Sequence, residues 1–168
     1  MLKIIFLLTI LSLGILPADS FNYTEIPIQE NGRIKPLDTF ARNHLLMIYN
    51  KRTIKASEDL DQSKQTKIDA IDWLIDLVLY PNTSEKYSVF NIQNPEIVGS
   101  LGLAWNSTHR YNINEVLLGI QNQLDYIAKI QSVPEEDLTP FDHQIFQVYT
   151  NLIRYQELSF SLSCLLPL

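Results

Sequence analysis

Cysteine is almost missing from this 168-residue chain. Cys164 has no second thiol to pair with, so no intrachain disulfide can form and stability must come from packing. Neither Cys-x-x-Cys nor Cys-x-x-Cys-His occurs, which argues against thioredoxin-like redox chemistry and against covalent haem attachment of the c-type kind; Cys164 reads as a small buried apolar residue. Glycine is scarce, at five residues, and no Gly-rich phosphate loop, Gly-x-Ser-x-Gly elbow or His-Glu-x-x-His motif is present. The three histidines, His44, His109 and His143, lie far apart, with no second histidine or cysteine at metal-ligand spacing, so no resident metal or cofactor is expected. His44, on an apolar helix face, reads as a satisfied core histidine, and His143 as solvated. Basic residues are also few: 13 Lys and Arg face 19 Asp and Glu, a net charge of −6. Only Lys51, Arg52 and Lys55 form a loose cluster, so nucleic acid is not an expected partner.

Long apolar runs are absent beyond the first residues. Met1, Leu2 and Lys3 precede an apolar stretch from Ile4 to Leu16, followed by Pro17-Ala18-Asp19-Ser20. A spanning helix needs about 20 apolar residues, so this layout reads as a signal peptide over residues 1–20, with small residues at Ala18 and Ser20 preceding cleavage. An uncleaved N-terminal anchor is the competing reading. Its removal takes away Lys3 and Asp19 together and leaves the charge unchanged. The remainder, residues 21–168, is expected to form a single helical extracytoplasmic domain, because its length and 46% hydrophobic content suit one core.

Local signals predict a mainly α fold: a helical bundle with a long antiparallel helical hairpin and a small N-terminal β-hairpin. Asn31-Gly32 between two β-prone pieces of Ile26–Pro36 predicts the tight turn. A helix over Thr39–Tyr49 follows, with Asp38 as N-cap. The polar stretch Asn50–Lys67 is either a loop or the exposed start of the next helix. In Asp69–Tyr80 the acidic Asp69, Asp72 and Asp76 take a solvated face, and Pro81 ends the helix. Val89–Ile92 is expected as a short strand, and Asn94-Pro95 as the start of a short helix ended by Gly102. Asn112 and Glu115 have capping-box spacing and open a long helix whose apolar seam is Ile113, Leu117, Ile120, Leu124 and Ile127. Glu135, Glu136 and Asp137 are expected to be solvated ahead of the next helix start. Thr139-Pro140 opens the second arm, with Phe141, Ile145, Val148, Leu152, Tyr155 and Leu162.

The densest local signal is Gly32-Arg33-Ile34-Lys35-Pro36-Leu37-Asp38-Thr39-Phe40-Ala41-Arg42. Two readings stand. Arg33 or Arg42 ties the hairpin to the bundle, or both present a bidentate site for a carboxylate such as a partner's acidic residue or a haem propionate.

This string, together with Ile26-Pro27-Ile28-Gln29 ahead of it, resembles the extracytoplasmic region of bacterial cytochrome c biogenesis proteins of the CcsA/ResC type, matching at Gly32, Arg33, Pro36, Leu37, Thr39, Ala41 and Arg42. Asp72-Trp73-Leu74 with Pro81, Val89-Phe90-Asn91-Ile92 with Pro95-Glu96, Leu101-Gly102-Leu103 and Tyr111-Asn112 follow in the order found there. The resemblance implies a soluble region in System II cytochrome c assembly, partnered by a membrane-embedded protein whose multi-span core handles the haem. The expected role is therefore a non-enzymatic periplasmic docking module. The alternatives are a stand-alone periplasmic ligand-binding or envelope structural module, and a carboxylate-based hydrolase assembled only by the fold. Intact-mass measurement on the exported protein is expected to show a chain beginning at Phe21.

Overall fold

The computed structural model describes residues 22–55 and 67–161. The expected signal peptide, Leu162 and Cys164 lie outside the described residues. The described chain is 59% helical, with seven α-helices and three two-stranded antiparallel sheets. Strands β1 (Pro27–Glu30) and β2 (Arg33–Pro36) form the N-terminal hairpin and lead into α1 (Leu37–Tyr49). β3 (Thr53–Lys55) pairs with β4 (Lys67–Asp69), so the two ends of the polar stretch are brought together as strands rather than joining a helix. Then come α2 (Ala70–Leu79), the single turn α3 (Pro81–Ser84), β5 (Phe90–Asn91) and α4 (Pro95–Ser100). β6 (Arg110–Tyr111) pairs with β5 and precedes α5 (Ile113–Gln121), α6 (Leu124–Ile130) and α7 (Pro140–Ser161).

Several local signals act as read. The Asn94 side chain accepts the Glu96 N–H to start α4. Asn112 and Glu115 complete a reciprocal capping box at α5, with bonds of 3.0 and 2.8 Å. At α7 Thr139 and Asp142 cap each other: the Thr139 N–H donates to the Asp142 carboxylate at 2.8 Å, and the Asp142 N–H donates to Thr139 Oγ1 at 3.2 Å. Pro81 ends α2 but at once opens α3, as a proline in a first helical turn can. The acidic residues of α2 are less free than the sequence suggests. Asp72 accepts from the Tyr23 hydroxyl and Asp76 from the Tyr87 hydroxyl, and burial, reinforced by that second bond, holds the Tyr87 phenol above its usual range.

The first arm of the expected helical hairpin is not continuous. It breaks at Asn122 and Gln123, where Gln123 leaves helical geometry (φ −111°, ψ 4°) and its side chain donates to the Ser100 carbonyl at 2.7 Å. That tertiary bond rotates the seam: Ile127 and Ile130 are buried, whereas Leu124 is 48% exposed.

Helix α7 occupies the centre. Ile145, Val148, Leu152, Tyr155 and Leu158 recur three or four residues apart and are buried against α1, α2, α4, α5 and α6. Around Tyr155 sit the rings of Trp73 (6.5 Å) and Phe90 (5.6 Å). The Tyr155 hydroxyl donates to Ser84 Oγ, and burial pushes the phenol up to about 12. Helix α5 reaches this core through Gly119, where a Cβ would stand 2.7 Å from the Leu101 carbonyl oxygen and 2.9 Å from its Cβ. Gly119→Ala is therefore expected to lower stability by about 1–3 kcal/mol in urea unfolding, despite alanine's better helix propensity.

Candidate functional site

The hairpin owes its geometry to Asn31 (φ 51°) and Gly32 (φ 74°), both left-handed as a type I′ turn requires. The register pairs Glu30 with Arg33, Gln29 with Ile34, Ile28 with Lys35 and Pro27 with Pro36. Side chains alternate along each strand, so Ile28, Glu30, Arg33 and Lys35 share one face while Pro27, Gln29, Ile34 and Pro36 share the other. The first face turns towards α1, with Ile28 packed on the core. All four residues of the second face are exposed, Ile34 at 76%.

Lys35 and His44 hold the inner face to α1 through one carboxylate. Glu30 pairs with the Lys35 ammonium and accepts from His44 Nε2 at 2.7 Å. The bond from Lys35, reinforced by His44, holds the Glu30 carboxyl below its usual range. Donation to Glu30 puts the proton of a neutral His44 on Nε2 and leaves Nδ1 buried with no partner among the described residues. Burial holds the imidazole below its ordinary value, helped by the nearby Arg154 and Lys35 charges and opposed by Glu30.

The Gly32–Arg42 string then separates by role. Leu37, Phe40 and Ala41 are buried, and the Phe40 ring lies 4.3 Å from that of His44. Leu37 donates its N–H to the Ile26 carbonyl, which starts the helix one residue before the expected cap. Asp38 consequently lies inside the first turn, where its charge suits the helix N-terminus and it pairs with Arg42 Nε at 2.9 Å. Arg42 is thus turned along its own helix, and Arg33, opposite Glu30 at the tip, has no ion pair among the described residues. The described contacts bring the two arginines to no common partner; the tie from hairpin to bundle is made by Lys35, Glu30 and His44 instead. Thr39 and Pro36 are exposed beside them.

The Glu30–His44 pair escaped the sequence reading although half of it was legible: the Asn31-Gly32 turn fixes the register and so places Glu30 and Lys35 on one face. The other half depends on how α1 lies against the sheet. A second cation also went unread. Arg110 Nη1 donates to the Tyr49 carbonyl at 2.6 Å, and its guanidinium lies 4.0 Å over the Tyr49 ring, a positive charge at the C-terminal end of α1.

Among the described residues no group of three or more His, Cys, Asp or Glu side chains gathers to hold a metal, and no helix is long and apolar enough to cross a membrane. His44 is committed to Glu30, His109 lies against Trp105 at 4.5 Å, and His143 is exposed on α7, so the three do not converge on a haem-ligand pair. Comparison with family models, with curated proteins and with solved structures finds no match to this chain.

Both titrations on the inner face act with one sign. His44 binds its proton less readily in the native state, so between its lowered native value and the ~6.5 of an unfolded histidine acid favours unfolding; the lowered Glu30 carboxyl adds a further loss as pH falls through the carboxylate range. Urea midpoints are expected to fall from about pH 7 to about pH 5, and His44→Gln, which keeps a donor to Glu30 without a titrating ring, is expected to flatten that fall.

Proposed function

We propose that this domain is a non-enzymatic periplasmic module of cytochrome c maturation whose N-terminal hairpin docks on a membrane-embedded assembly protein. The observation that carries the docking surface is the outer hairpin face. Ile34, 76% exposed and flanked by Pro36 and Gln29, is held on a strand pair whose other face is pinned to α1. An apolar side chain presented this way on a fixed scaffold costs little entropy to bury against a partner. Arg33 belongs to the opposite face of the hairpin, but it is exposed at the tip next to Ile34 in the chain, and its guanidinium supplies a cation there for an acidic group of the partner. The resemblance of Gly32–Arg42 to the CcsA/ResC-type region names the pathway, and in that setting haem stays with the partner's membrane core. Export by residues 1–20 belongs to the same reading.

Co-purification of the tagged protein from detergent-solubilised membranes tests it. Wild type is expected to recover a cytochrome c assembly component, and Ile34→Asp with Arg33→Ala to recover roughly tenfold less while keeping its circular dichroism spectrum. Undiminished capture by the double variant, or capture free of cytochrome c assembly proteins, contradicts the proposal.

A further inference from the structure

Away from the hairpin, a cleft of about 540 Å³ opens between the C-terminal end of α1, the β5–α4 segment and α7. Its floor is apolar, with Ile48, Ile92, Ile97 and Val148. Its walls are carboxamides: Gln144, Gln147 and Asn151 from α7, Asn91, Gln93 and Asn94 opposite, and Asn50 at one end. A second hollow of about 460 Å³ shares Met47, Asn50, Gln147 and Asn151 with the first and extends to His143, Phe146 and Arg154. Together they make an elongated groove along α7. From Gln144 to Arg154 the helix rises about 15 Å, the length of four or five residues of extended chain.

The wall chemistry restricts what fits. No charged side chain lines the main hollow, no carboxylate lines either hollow, and the single guanidinium of the second, Arg154, is already bonded to Asn151 Oδ1, so the groove gathers neither the clustered cations that suit an anion nor the carboxylates that suit a metal ion. An apolar ligand would desolvate the carboxamides of Asn50 and Gln147 and the amide nitrogen of Asn151, which have no bond among the described residues. No aromatic ring lines the main hollow, so a sugar or nucleobase lacks a stacking platform there. Each carboxamide offers both donors and an acceptor, the same pairing that a peptide group presents. Part of this capacity is already used. Asn94 donates to Gln144 at 2.7 Å and accepts from the Glu96 N–H, and Arg154 donates to Asn151 Oδ1 at 2.9 Å. Among the described residues the amide nitrogen of Asn151 and the side chains of Gln147 and Asn50 remain unbonded on the groove. Met47, 50% exposed, and Phe146, 37% exposed, stand at its edge as apolar contacts for alternate side chains.

We propose that this groove binds an uncharged, extended peptide segment through its main chain, at a site separate from the hairpin. Recognition by carboxamides tolerates sequence, so a pool of acetylated, amidated, uncharged decapeptides is a sufficient probe. Titrated at millimolar concentration into the ¹⁵N-labelled full chain, it is expected to shift the side-chain NH₂ resonances of Asn50, Gln147 and Asn151 and to leave Gln29 on the hairpin unmoved. Gln147→Leu, at an exposed position with no partner to lose, is expected to weaken binding roughly fivefold. Maltohexaose serves as the neutral saccharide control. Shifts with the saccharide alone, no shifts with the peptides, or undiminished binding by Gln147→Leu overturns the proposal.

Discussion

Burial of one stripe on α7 is the interaction on which the rest of the molecule depends. Ile145, Val148, Leu152, Tyr155 and Leu158 supply the surface against which α1, α2, α4, α5 and α6 pack. With Cys164 the only thiol, no intrachain disulfide shares that task. Trp73 and Phe90 gather around Tyr155, so α2 and β5 are oriented by the same side chain. Helix α1, fixed in turn by α2 and α7, carries His44 to the place where the hairpin meets the bundle.

At that junction two ion pairs of unlike consequence sit within one short segment. Asp38 and Arg42 are four apart on the surface of α1, an arrangement worth about 0.3–0.5 kcal/mol that leaves the helix where packing puts it. Glu30, Lys35 and His44 are more enclosed and join both strands of the hairpin to α1, so they set the angle at which the hairpin leaves α1. Because the inner face is engaged in this way, the outer face with Ile34 is left to the solvent. The same sequence string therefore serves the core through Leu37, Phe40 and Ala41 and presents a surface through Arg33 and Ile34.

What was legible in the sequence was local chemistry. Asn31-Gly32, Asn94-Pro95, Asn112 with Glu115 and Thr139-Pro140 each act through bonds within a few residues, and each forms as read. Of the α7 stripe, Ile145, Val148, Leu152 and Tyr155 were legible because one helical period runs through them, whereas Leu158 was passed over for Leu162, which lies outside the described residues. What depended on distant partners was not. The break at Gln123 follows from the Ser100 carbonyl, 23 residues earlier, and Leu37 enters α1 because Ile26 accepts its N–H. His44 was read as a core histidine without the carboxylate that bonds it. The groove was hidden for the same reason. Gln144, Gln147 and Asn151 share a helical face that the sequence displays, but Asn50 and Asn91–Asn94 join them only through the fold.

The outer hairpin face as a partner-binding surface is the central claim, and site-specific photo-crosslinking tests it most directly. A photoreactive phenylalanine analogue would replace Ile34 in the protein expressed in its own cells, with the same analogue at Leu118, 64% exposed on α5, as the control. Crosslinking from position 34, and not from 118, to a membrane-embedded cytochrome c assembly protein is the expected result. No crosslink from position 34, or the same products from both positions, would contradict the account.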